Sequence, residues 1–191
     1  YGRLVPVPEE RTRVMQDEEM VELSGRSLRF IDTPGHARHH FCVHDSLTNG
    51  WFSGDTFGLS YREFDTDQGA FMIPTTTPVQ FDPDALKESI RRLLKVQPDY
   101  MYLTHFGRVE NVQKLAGDMI DGIDALAGFG EQFDGDDARG EKIAAAITEW
   151  SLARLKAHGV SLPEEQCRDL LQADIRLNAA GIECWLDYRK R

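Results

Sequence analysis

Four of the six histidines in this 191-residue chain, His36, His39, His40 and His44, crowd into a single short span of the stretch from Phe30 to Gly58. No other segment concentrates chemistry-bearing side chains to this degree. The stretch opens with an apolar strand over residues 28–31, which Asp32-Thr33-Pro34-Gly35 breaks so that His36 sits on the loop just beyond. A second strand-like run covers 40–44 and Thr48-Asn49-Gly50 turns the chain. Trp51-Phe52-Ser53 then delivers Gly54-Asp55-Thr56 at its end. The pattern repeats far downstream, where the strand Tyr100 to Leu103 leads into Thr104-His105-Phe106-Gly107. His36, Asp55 and His105 therefore all stand at strand ends, where rigid elements can aim them at a common point.

Thr33-Pro34-Gly35-His36, Ser53-Gly54-Asp55-Thr56 and Thr104-His105, in this order and context, resemble the second half of the metallo-β-lactamase-fold hydrolases. The resemblance implies an α/β chain: the second half of an αβ/βα sandwich, with a mixed, largely antiparallel sheet, flanking helices and a C-terminal helical extension. It implies that His36, Asp55 and His105 are metal ligands and that Asp55, also the catalytic carboxylate, bridges two divalent ions. Imidazole and carboxylate donors suit zinc, with iron or manganese as alternatives. An Asp at position 55, where the antibiotic-hydrolysing subgroup carries Cys, resembles the glyoxalase II and lactonase branches.

The family's first-half motif, His-x-His-x-Asp-His, does not precede Asp32, and residues 1–31 contain no histidine. The chain also opens on Tyr1, not on an initiator methionine. The expectation is that these residues are the C-terminal part of a longer protein and hold only part of the metal site. The function implied for the full-length protein is hydrolysis of an ester, thioester, lactone or phosphoester by a metal-bound hydroxide. The fragment alone is expected to bind metal weakly or not at all. Two alternatives stand beside it: a non-catalytic or oligomerisation fragment of the same fold, or a mononuclear-iron oxidoreductase of that fold.

His40 occupies the place where relatives of the glyoxalase II type carry a second histidine, and is expected to pack behind the ligands. His39 and His44 are expected to face solvent or be satisfied by hydrogen bonds, with Asp45 a candidate partner for His44. Thr56 is expected to brace the Asp55 loop. The irregular stretch 59–81 leaves directly from that loop and is expected to form a substrate-pocket wall with some lid character, Tyr61 and Arg62 being its candidate substrate contacts.

Hydrophobic residues make up 41% of the chain, enough to support a core. A net charge of −10 disfavours nucleic acid and anionic membranes as partners, since both need a basic face. A small-molecule substrate is expected instead. Three scattered cysteines, Cys42, Cys167 and Cys184, read as reduced thiols and place the chain in the cytoplasm. Arg13 to Met15 and Met20 to Leu23 are expected to form a meander with residues 28–31. Asp82-Pro83 starts a helix, and helices are expected over 109–127, 141–158 and 163–188, with a loop over 129–140. Its Asp134-x-Asp136 pair reads as a solvated turn and not as a calcium loop. The domain organisation that follows is 1–128 for the half-domain and 129–191 for a helical extension packing on it, whose helices could cover the pocket side of the sheet or form a homodimer interface.

Overall fold

In a sheet covered on one side only, alternate side chains face a core and the intervening ones do not. The computed structural model, which describes residues 3–76 and 79–190, has six strands, and the alternation is clearest in the fifth, over residues 100–103. The strands are β1 (Met20–Leu23), β2 (Arg26–Asp32), β3 (Phe41–Asp45), β4 (Gly50–Gly54), β5 (Tyr100–Leu103) and β6 (Gly107–Val109). They lie side by side in chain order, and every neighbouring pair is antiparallel except β4 and β5. A parallel pair needs a crossover. Here α1 (Pro83–Leu94) supplies it, capped by the Asp82 carboxylate, which accepts from the amides of Asp84 and Ala85.

Trp51 and Met101 point from β4 and β5 onto Leu86, Ile90 and Leu93 of α1, and the indole N–H of Trp51 donates to the Leu93 carbonyl at 3.0 Å. Burying each such side chain contributes roughly 1.5–3 kcal/mol. The same core continues through Leu115, Met119 and Ile123 of α2 (Val112–Phe133), Ile143 and Ile147 of α3 (Arg139–Ala157), and Leu171 and Ile182 of α4 (Glu164–Arg189). The expected boundary between residues 128 and 129 falls inside α2, and one apolar cluster runs across it. Gly128 and Gly130 look like loop residues in sequence. At Gly130, however, a Cβ would come within 2.5 Å of Ile182 Cγ2, so the glycine serves close helix packing and the helix runs on to Phe133.

Other expectations need correction. Arg13 to Met15 joins no strand, so the meander is β1 to β3 alone. Val109 ends β6 and does not open a helix. His44 bonds Asn49 Oδ1 at 3.2 Å, because Asp45 is already taken by Arg26, Thr48 and the amide of Leu47. The stretch 59–81 does not hang free as a lid: Leu59 bridges Ile73, and Phe64, Phe71, Met72 and Phe81 are core residues. Thr77 and Pro78 of that stretch lie outside the described residues. Asp134 and Asp136 are spent on ion pairs with Lys190 and Lys142.

The sheet face away from the helices carries a cross-strand row of three aromatic residues and a valine, Phe30, Val43, Phe52 and Tyr102, each in register with the next. Phe52 and Phe41 on this face are 48% and 56% exposed, too much for core residues. No helix among the described residues is long and apolar enough to cross a membrane.

Candidate metal centre

The three predicted residues meet at one rim of the sheet. His36 follows the end of β2, where Gly35 (φ +131°) turns the chain hard against α1. A Cβ there would lie 2.2 Å from the Leu86 amide nitrogen, so only glycine permits the approach. The loop is then pinned to α1, with Ser89 Oγ donating to the Pro34 carbonyl at 2.6 Å and the Asp82 amide to the Gly35 carbonyl at 2.8 Å. Asp55 follows β4, and His105 sits in the tight turn between β5 and β6.

His36 Nε2 lies 3.5 Å from Asp55 Oδ2, and His105 Nε2 lies 3.7 Å from Asp55 Oδ1. One carboxylate thus offers a different oxygen to each imidazole. Both separations exceed a charge-assisted hydrogen bond of about 2.7–2.9 Å. They approach the roughly 3.3–3.4 Å that separates two donors held at about 2.0–2.1 Å by one tetrahedral ion.

The protonation of His36 follows from Thr75, a residue that sequence reasoning missed. Thr75 Oγ1 donates to the Asp55 carbonyl at 2.9 Å, so toward His36 Nδ1, 3.1 Å away, it can only accept. The Thr75 carbonyl oxygen, 3.2 Å from the same Nδ1, is also an acceptor. Nδ1 therefore carries a proton, and in the neutral ring Nε2 turns its lone pair toward the carboxylate. Two acceptors face to face repel unless a cation lies between them. Asp55 Oδ1 is itself buried without a hydrogen-bond partner among the described residues, a costly arrangement that a divalent cation would relieve. The donor chemistry fits such an ion, but the set is partial. Among the described residues no group of three or more His, Cys, Asp or Glu is arranged to hold a metal.

His40 stands behind this rim. Its Nε2 accepts from the Asp55 amide at 3.1 Å, which puts the proton on Nδ1, facing Thr56 Oγ1 at 2.9 Å and Thr33 Oγ1 at 3.0 Å. Burial, reinforced by the neighbouring His36, pushes its pKa below the usual histidine value, so the ring stays neutral in this web. Thr56, fully buried, braces the same web. His39 is exposed and takes no part.

A cleft of about 340 Å³ opens beside the three residues. Leu59, Tyr61, Thr75 and Thr76 from the 59–81 stretch line one wall, and Asp174, Leu177 and Asn178 of α4 line another. Tyr61 packs on Phe106 with ring centroids 4.3 Å apart and donates its hydroxyl to Asp174 Oδ2 at 2.6 Å. Burial and that carboxylate together raise its phenol far above the ordinary tyrosine value. Arg62, paired with Tyr61 in the sequence reading, does not reach the cleft. Its guanidinium turns back onto the Ser60 carbonyl and hydroxyl and onto Asp65. The sequence leads one to expect that the C-terminal helices can cover the pocket side of the sheet and that Leu177 packs, but it does not single out Asp174 and Asn178, because polar side chains on a helix read as solvated.

The sequence matches the family described as the metallo-beta-lactamase superfamily over residues 3–105, more than half of the chain. A curated relative, the metallo-beta-lactamase fold-containing protein ST1585 of Sulfurisphaera tokodaii, is 32% identical over 110 residues, which are 57% of this chain and 38% of that protein. The crystal structure of ST1585 matches with a TM-score of 0.50 and 29% identity, over 60% of this chain and 40% of that one. The metallo-beta-lactamase family protein TTHA1429 from Thermus thermophilus matches with a TM-score of 0.57 over 92% of this chain and 49% of its own. At 15% identity that likeness shows the fold alone. This chain thus spans less than half the length of each of these relatives. A sheet rim that gathers His36, Asp55 and His105 is what the matched segment builds, and the chain belongs to the metallo-beta-lactamase superfamily.

Proposed function

We propose that the whole protein is a metal-dependent hydrolase of an uncharged ester, thioester or lactone. The observation that carries this is the Asp55 carboxylate, whose two oxygens face two different imidazoles and whose Oδ1 is buried without a hydrogen-bond partner among the described residues. His36 Nε2 with Asp55 Oδ2, and His105 Nε2 with Asp55 Oδ1, would each hold one divalent ion, zinc by donor type, with iron or manganese as alternatives. When bound, such ions activate water near neutral pH and polarise the attacked bond.

The chain's own side chains orient and enclose. Thr75 holds the His36 proton on Nδ1, and His40 holds the Asp55 backbone. Leu59, Tyr61, Phe106 and Leu177 give the cleft an apolar wall that suits a modest acyl group. No Lys or Arg lines it among the described residues. A phosphoester would find no cationic side chain there, so acyl substrates are favoured over phosphoryl ones. The three free cysteines suit a reducing compartment such as the cytoplasm.

The test is metal analysis of the whole protein together with hydrolysis of a panel of esters, thioesters, lactones and a phosphodiester. Bound divalent metal and acyl turnover, both lost in Asp55→Ala, are expected. A protein that neither binds metal nor turns over any member of the panel would instead be a non-catalytic member of the fold.

A further inference from the structure

We infer that Asn178, on the C-terminal helix α4, is the positioning residue that sets the Nδ1–H tautomer and the direction of His36. Its carboxamide clamps the chain on both sides of Thr75. Nδ2 donates to the Pro74 carbonyl at 3.0 Å, and Oδ1 accepts from the Thr76 amide at 2.8 Å. The Thr76 hydroxyl closes the clamp by donating to the Asn178 carbonyl at 2.8 Å.

The consequence for His36 comes from the planarity of the peptide bond. No cis peptide occurs among the described residues, and in a trans peptide the N–H and the preceding C=O point in opposite directions. With the Thr76 N–H held on Asn178, the Thr75 carbonyl of the same peptide must point away from α4. There it meets His36 Nδ1. Holding the Pro74 carbonyl as well fixes the preceding peptide plane, so the Thr75 side chain is held where Oγ1 reaches both the Asp55 carbonyl and the His36 ring.

The clamp is built into the fold. Asn178 is 4% exposed and Thr76 is 1% exposed, so water cannot replace the lost bonds cheaply. Gly181, one turn further along α4, lets the Thr76 carbonyl approach so closely that a Cβ would stand 2.0 Å from it. An amide at position 178 and no side chain at position 181 together place the Pro74 to Thr76 strap against α4, and the strap presents two acceptors to one nitrogen of His36. The Nε2 lone pair is thereby kept on the side of Asp55. This inference rests on the proposal that His36 is a metal ligand, but its first readout does not need a metal.

The test uses nitrogen-15 spectra of histidine-labelled protein without metal, with the His36 signals assigned through His36→Gln. In its neutral form, His36 of the wild type is expected to show a protonated Nδ1 and an unprotonated Nε2. Asn178→Ala is expected to give averaged ring shifts, the mark of mixed tautomers, and a fall of about 10–100-fold in zinc affinity. Gly181→Ala, which pushes the strap off α4 while keeping every hydrogen-bonding group, is expected to do the same and serves if Asn178→Ala does not fold. A lower melting temperature with unchanged His36 shifts in the folded variants overturns the positioning role. Mixed tautomers with unchanged zinc affinity uphold that role and instead remove His36 from the ligand set.

Discussion

His40 and Asp55 are joined ring to backbone: the imidazole Nε2 of one accepts from the amide nitrogen of the other at 3.1 Å. The bond uses the one ring nitrogen that could have bound a metal, and the other is engaged by Thr33 and Thr56. His40 thus holds the Asp55 loop and is not free to act as a ligand. His40→Ala strips three buried groups of their partner and is expected to destabilise the fold by about 1–3 kcal/mol. His105→Ala, at a ring about half exposed, is expected to leave stability within about 0.5 kcal/mol of wild type while weakening metal binding. Denaturant titration and zinc titration of the two variants separate the roles.

Gly54 permits that bond. It lies at φ +51°, and a Cβ on it would stand 2.3 Å from His40 Nε2. Gly54→Ala therefore meets a strained backbone and a steric clash at the same place, and is expected to cost more than about 1 kcal/mol of stability. The ring it displaces is the partner of the Asp55 amide. A matching loss of zinc affinity in Gly54→Ala, read by the same titrations, is the expected outcome.

Strand ends carried the sequence reading where chain order and spatial order agree. The Pro-Gly break before His36, the run Trp51 to Ser53 before Asp55 and the run Tyr100 to Leu103 before His105 are local signals, and each side chain stands where its strand leaves off. What was not legible lies across long sequence separations. Tyr61 meets Asp174 113 residues away, and Thr76 meets Asn178 102 residues away. Nothing in the composition of α4 distinguishes Asn178, which bonds the strap, from polar neighbours that face water. β6 is three residues long and opens on a glycine, too short for alternation to register.

The apolar row Phe30, Val43, Phe52 and Tyr102 lies on a sheet face that no described element covers. The exposed large apolar side chains of α2, α3 and α4 among the described residues are only Leu177 and Tyr188, so the sheet face is the better candidate than the C-terminal helices for self-association. The 191-residue chain is expected to bind a hydrophobic dye and to associate in a concentration-dependent way by light scattering. Phe52→Lys is expected to reduce both, and Leu177→Lys to change neither.

Cys42 sits mid-strand, fully buried, with Sγ 3.2 Å from Thr33 Oγ1 and donating to the Ser53 carbonyl at 3.3 Å. Burial pushes its thiol up to about 12, far from the thiolate needed for reaction. Cys167 is raised in the same direction by burial and by Glu164, whereas Cys184 is only half-buried. Alkylation of the native protein at about pH 8 is expected to label Cys184 alone, with Cys42 reacting only after denaturation. Mass spectrometry of the peptides decides it.

His44 supplies a pH signature remote from the proposed ligands. It packs on Trp51 with ring centroids 4.7 Å apart, and Arg29 lies over the same indole. Burial, the largest influence, lowers its pKa; Arg29 adds to the effect, while Asn49 and Asp45 oppose it. In the unfolded chain the ring titrates near about 6.5, so below that pH the unfolded state binds more protons than the folded one. Stability then rises with pH through this window. The contribution is complete above about 6.5 and is lost as the solution is acidified toward and through the lower folded value. His44→Gln removes the titrating group while leaving His40, whose shift has the same sign, in place. Urea unfolding is expected to show a shallower loss of stability between about pH 7.5 and pH 5 in this variant than in wild type. Equal slopes would mean that His44 protonates as readily in the fold as out of it.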